Sequence, residues 1–171
     1  QAQQQCLDML DAINRMQGAR NGVQARVCSD VAAIRAAHAA GILAVIPAVE
    51  NGYGMGEDPG MLSQFRQKGA RYVTLTHNGH NALADSAIHR PSLGDTPQRH
   101  GGLSPLSRDA VAETHRLGPL VDVSLPARQP PMQAAEESST PVLVSPSSLR
   151  SLTQHPPNPD DRALTDLEAT G

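Results

Sequence analysis

Apolar and polar positions alternate between two periods along this chain, and the alternation predicts most of its elements. Leu7, Met9, Leu10, Ile13 and Met16 recur at helical spacing, so residues 6–16 read as a helix with one apolar face. Gly18, Asn21 and Gly22 mark residues 17–23 as a loop, and Arg26-Val27-Cys28 as a short strand. Ser29 then caps a helix with Asp30 in its first turn, Val31 and Ile34 on one face and Gly41 just past its end. Residues 42–49 run apolar without alternation, which predicts one strand buried on both faces, as parallel sheets require. Asp58-Pro59 opens a helix as N-cap and first position, with Leu62 and Phe65 inward and Gly69 closing it.

A second strand follows at 70–76, and residues 85–103 form a long irregular loop. Ser104-Pro105 starts a helix bearing Leu106, Ala110, Val111 and Leu117 on its inner face, ended by Gly118, with His115 solvated. Further strands are predicted at 119–124 and 141–145, with a marginal helix near Met132 to Glu137 between them. Asn158 caps a last helix carrying Leu164 and Leu167. Strand–helix alternation of this kind predicts an α/β fold with parallel strands and right-handed crossovers.

Two strands end in chemistry. Glu50 closes the apolar run and is followed by Asn51-Gly52-Tyr53-Gly54-Met55-Gly56, where the backbone can approach a ligand. A carboxylate at the mouth of a buried strand is paired, hydrogen-bonded, metal-bound or neutralised. The plain alternative is a carboxylate that caps a neighbouring helix or pairs with an arginine. His77 ends the strand Arg71-Tyr72-Val73-Thr74-Leu75-Thr76 and precedes the turn-prone Asn78-Gly79-His80-Asn81. Open α/β sheets and barrels build sites at such positions, although a surface histidine on a connecting loop explains it equally well. His77-x-x-His80 could hold a metal adventitiously, but a closed site wants about four ligands, so a loop role ranks first.

Composition narrows the classes. The 171 residues suffice for one domain, here 1–171, but a complete (β/α)8 barrel needs about 250. With 39% apolar residues, one Phe, no Trp and 14 Pro, the core is thin. A net charge of −3 and no basic stripe argue against nucleic acid as a partner. Cys6 and Cys28 match no zinc spacing and read as buried free thiols. No apolar run reaches membrane-spanning length, and the start QAQQQ lacks the features of a signal peptide.

The stretch RYVTLTH with Asn81 and Ala84-Asp85-Ser86 beyond it, Val49-Glu50-Asn51-Gly52, and Gly102-Leu103-Ser104-Pro105 resemble motifs of the membrane (renal) dipeptidase family. The likeness covers roughly residues 30–171, with residues 1–29 as an N-terminal helix and loop. It implies a (β/α)8 (TIM) barrel of the metal-dependent hydrolase type, here partial, and a dipeptide substrate. It also implies zinc as cofactor, with Glu50 bridging two ions and His77 near the substrate. The pattern then breaks. Where the family reads V-D-x-S-H and P-V-x-x-S-H-S, this chain has Leu125 and Pro146 in place of the zinc-binding histidines. Neither side chain carries a lone pair for a metal. Pro157 stands where the family holds an arginine for the substrate carboxylate, and the family's first-strand H-x-D pair is missing.

Three functional classes therefore stay open. The chain is a segment of a zinc metallo-dipeptidase, catalytically impaired by itself; or a non-catalytic dipeptidase-like binding module; or a truncated or decayed product. A partial barrel would leave open strand edges, which predicts self-association.

Overall fold

The computed structural model describes residues 1–122, 134, 136, 138, 141–145, 148–155 and 158–168. Leu125, Pro146, Pro157 and most of the helix expected near Met132 to Glu137 lie outside the described residues. In order, the elements are α1 (Ala2–Asn14), β1 (Gly18–Arg20), β2 (Val23–Val27), α2 (Val31–Ala39), β3 (Leu43–Val45) and β4 (Ala48–Val49). A 3-10 turn (Gly52–Gly54), α3 (Met61–Gln67), β5 (Tyr72–Thr74), a second 3-10 turn (Pro91–Leu93), α4 (Pro105–Leu117), β6 (Leu120–Asp122) and α5 (Asp161–Glu168) follow.

The strands make two three-stranded sheets, β1-β2-β3 and β4-β5-β6. β2 runs parallel to β3, β4 to β5 and β5 to β6, and a parallel bridge joins Asp122 to Leu143. This is a mixed α/β fold whose strands are mostly parallel, as the alternation predicts. The exception is the antiparallel hairpin β1-β2, which falls where a loop is expected. Asn21 (φ 50°) and Gly22 (φ 80°) both take positive φ, the two-residue turn that suits a twisted hairpin.

Residues 42–49 do not form one strand. Pro47 has no N–H to give a ladder and divides the run into β3 and β4. The segment changes partners across that break: Val45 O accepts from Cys28 N at 2.8 Å, and Pro47 O from Arg71 N at 3.0 Å. Nor is the run buried on both faces, since Leu43 and Ile46 are 53% and 42% exposed. The covering helix α2 buries only Ala37. At 141–145 the described structure holds the single bridge at Leu143 rather than a strand.

Several helix starts also differ from expectation. Asp30, not Ser29, caps α2, its Oδ1 accepting from Ala33 N at 2.7 Å. Asp58 accepts from Gly60 N in a preceding turn, and α3 begins only at Met61. Asp160 accepts from Ala163 N at the start of α5. Asn158 is instead buried and holds Ser148 N and Thr153 O. α4 is as predicted: Ser104 Oγ accepts from Ser107 N, and Gly118 ends it at φ 85°. His115 on α4 is half-buried and bonded through Nε2 to Ser138 Oγ at 2.8 Å, so it is not simply solvated.

The core gathers Leu10 from α1, Leu62 and Phe65 from α3, Val49, Val73 and Val121 from successive parallel strands, and Val111 from α4. Val49 pairs with Val73 and Val73 with Val121, so these three stack on one face of the sheet. That register brings the C-terminal ends of β4, β5 and β6 to a common edge.

Candidate functional site at the strand ends

Glu50 lies one residue beyond β4 and His77 three beyond β5. Because the two strands are parallel neighbours, both residues emerge on the same side, at the C-terminal ends where open α/β sheets place their sites. Glu50 Oε1 and His77 Nε2 are 3.5 Å apart. The carboxylate neither caps a helix nor meets an arginine among the described contacts. It is also far from dry: its side chain is 62% exposed and that of His77 43%. The sequence suggests a carboxylate starved of water. Hydration removes that penalty, and the exposed pair is worth at most about 1 kcal/mol.

Beside Glu50 a cleft of about 680 Å³ opens between α1 and the strand ends, lined by Leu10, Ala48, Asn51, Tyr72, Thr74 and Ser145 among others. Cys6 also borders it, and burial raises its thiol pKa, which favours the neutral form. Asp122 of β6 is fully buried. Its Oδ2 accepts from Thr74 Oγ1 at 3.2 Å and its Oδ1 from Ser145 N at 3.3 Å. Thr76, just before His77, buries a hydroxyl with no partner among the described residues, a cost of about 1–3 kcal/mol.

The loop after His77 is held by buried polar side chains rather than by apolar packing alone. His80 is 2% exposed, with Nδ1 accepting from Ser86 N and Nε2 against Thr96 O at 2.8 Å. Both ring nitrogens are therefore occupied, and His77-x-x-His80 does not form a chelate. Asp85, also 2% exposed, gathers the backbone N–H groups of Arg99, His100 and Gly101 at 2.9–3.1 Å. Asp95 Oδ2 accepts from His80 N and Arg90 N, and these bonds hold its carboxyl below the usual carboxylate range. His100 Nε2 bonds to Asn81 O, and Ser86 Oγ to His77 O.

The hydrogen-bonding roles of Asn81, Asp85 and Asp122 are not read from the pattern of apolar and polar positions. The detectable signals were a lone acid inside the apolar run of β6, and an acid at the head of an unusually long loop.

A dinuclear zinc centre does not fit what is described. No three His, Cys, Asp or Glu side chains converge among the described residues. Glu50 and His77 make two donors, and two partners already engage Asp122. Two donors fall short of the three protein ligands of a catalytic zinc site.

The family description "Membrane dipeptidase (Peptidase family M19)" matches residues 1–171. An uncharacterized dipeptidase of Schizosaccharomyces pombe is 40% identical over 114 residues, 66% of this chain and 26% of that relative. The solved structure of the probable dipeptidase PvdM from Pseudomonas aeruginosa superposes with a TM-score of 0.85 at 27% identity, covering 96% of this chain and 40% of that one. Dipeptidase AC, a metallo peptidase of family M19, gives a TM-score of 0.69 at 25% identity over 85% of this chain and 43% of its own. The chain thus spans less than half the length of each.

Proposed function

Since the chain belongs to the membrane dipeptidase family, M19, we propose that it is one wall of a metal-dependent dipeptidase barrel whose substrate class is dipeptides, and that by itself it does not hydrolyse them. Its architecture is read as a partial (β/α)8 barrel, a single domain over 1–171 with residues 1–29 as an N-terminal arm. The run of parallel neighbours from β4 through β5 and β6 to Leu143 supports that architecture. Glu50 is assigned as the metal-side carboxylate and His77 as a group facing the substrate. Their adjacency at the sheet's C-terminal edge is what supports the pairing of roles.

The inactivity is read from the sequence, where Leu125 and Pro146 offer no donor at the positions where the family's motifs carry histidines. Glu50 and His77 are the two metal-capable side chains that meet at the strand ends among the described residues. Catalysis of this class needs a metal to supply both nucleophile and Lewis acid, and one or two ligands hold zinc too weakly for that. Purified chain should contain far less than one equivalent of zinc and show no dipeptide turnover. Zinc-dependent turnover abolished by Glu50→Gln would overturn the reading.

The cleft beside Glu50 favours a second reading, a non-catalytic binding module, because the pocket persists without the ligand set. Stoichiometric dipeptide binding in calorimetry without hydrolysis would select it. Open strand edges also lead us to expect self-association, which sedimentation at several concentrations would reveal.

A further inference from the structure

The Glu50–His77 separation is not set by the pair itself, because an exposed contact at 3.5 Å is too weak to hold two loops in register. Something rigid must hold the exits of β4 and β5 together. Asn81 is buried, 3% exposed, and its amide touches both exits. Nδ2 donates to Leu75 O at 2.8 Å, two residues before His77, and to Asn51 Oδ1 at 3.0 Å, the residue directly after Glu50. Oδ1 accepts from Leu83 N at 2.8 Å and Ala84 N at 3.1 Å.

Two donors face two acceptors and one oxygen faces two N–H groups, so the amide's orientation has one consistent solution and its hydrogen-bonding capacity is full. Asparagine is well suited to this position. Aspartate lacks the donors, and an aliphatic residue would also leave the buried N–H groups of Leu83 and Ala84 without this acceptor. Asn51 is tuned to receive the contact. It sits at φ 79°, unusual for a residue with a side chain, and its Oδ1 also accepts from Tyr53 N at 3.2 Å. Gly52 N, next along, donates to the same Leu75 O at 3.1 Å.

We infer that Asn81 is the positioning residue of the strand-end pair: its amide cross-links the exits of β4 and β5 through Leu75 O and Asn51 Oδ1, and so fixes Glu50 against His77. This rests on the reading that Glu50 and His77 form the functional pair. It adds a third residue, 31 positions from Glu50, that hydrogen-bonds to neither side chain of the pair.

The test must separate positioning from mere loop support. Asn51→Gly removes one acceptor of the cross-link, keeps a backbone free to adopt positive φ, and leaves Asn81 bonded to Leu75, Leu83 and Ala84. Asn81→Asp keeps the oxygen that holds Leu83 and Ala84 but removes both donors. The readout is the change in the His77 Nε2 nitrogen resonance that Glu50→Gln causes at fixed pH, in each background by nuclear magnetic resonance. In the unmodified background Glu50→Gln should shift that resonance. In Asn51→Gly, and in Asn81→Asp where it folds, the shift should fall to about half or less, the signature of coupled sites in a double-mutant cycle. An undiminished shift in folded Asn51→Gly overturns the inference and leaves the pair intact. No shift in the unmodified background overturns the pair itself, and the inference with it.

Discussion

Asp85 offers the sharpest test of how the loop beyond His77 is held. Its carboxylate is 2% exposed and receives three consecutive backbone N–H groups, from Arg99, His100 and Gly101. Asp85→Ala removes all of these bonds in one step. A hydrogen bond to a charged acceptor contributes about 1.5–3 kcal/mol. Three do not add, because Arg99 is exposed, His100 and Gly101 are half-buried, and water can take over part of the freed N–H groups. The expected loss is therefore about 2–4 kcal/mol, above one such bond and well below three. With a mid-range urea slope of about 2 kcal/mol per molar, the midpoint should fall by roughly 1–2 M. Hydrogen exchange should at the same time lose protection at the amides of residues 99–101. A midpoint within about 0.2 M of the parent, or unchanged protection at those three amides, would refute the carboxylate as anchor, since surface changes seldom exceed about 0.5 kcal/mol.

Two further outcomes follow from the same region. Gly52→Ala would set a Cβ at 2.3 Å from Leu83 Cδ1 and 2.8 Å from Leu75 O, the latter immovable backbone. It should cost about 1–3 kcal/mol and lower the thermal midpoint by roughly 2–10 °C, and an unchanged midpoint in calorimetry would contradict the packing. Asp95 is held below the ordinary carboxylate range by Arg90 N and His80 N. A depressed folded-state value means its contribution is present above the unfolded value and lost as pH falls through the folded one. Protection of the His80 and Arg90 amides, corrected for intrinsic exchange, should thus fade on acidification below the usual carboxylate range. Asp95→Ala should show the loosened amides already at neutral pH, and protection that ignores both changes would count against the assignment.

What sequence alone reveals here depends on how far apart the interacting residues lie. The parallel neighbours β4, β5 and β6 are legible because apolar runs separated by helices leave few alternatives, and their shared direction brings Glu50 beside His77. The Asn21-Gly22 hairpin was legible too, since this dipeptide strongly favours a tight turn, yet the surrounding glycines read more simply as a loop. Pro47 is visible in the sequence, but an apolar run around it outweighs one missing N–H until the partner strands are known. Helix starts slipped by one or two residues because Ser29, Asp30, Asp58 and Gly60 all favour caps, and only geometry chooses among them. Asn81 and Asp85 stand in the motif itself, but what they bond to was hidden for a different reason. Their partners are backbone groups of distant loops, which carry no side-chain signature.

The exchange of partners at Pro47 divides the molecule's rigidity. β3 belongs to the ladder of β1 and β2, and β4 to that of β5 and β6. Between these two units run the short link Ile46-Pro47, the link at residues 15–17 from α1 into β1, and a few cross-ties, among them Arg71 N to Pro47 O and Arg71 Nε to Ser29 O. The first unit buries little, with Val23, Leu43 and Ile46 all more than 40% exposed, whereas the second holds most of the core. Opening free energy follows burial, so the hairpin unit can breathe as a separate cooperative piece while the ladder bearing Glu50 and His77 stays closed.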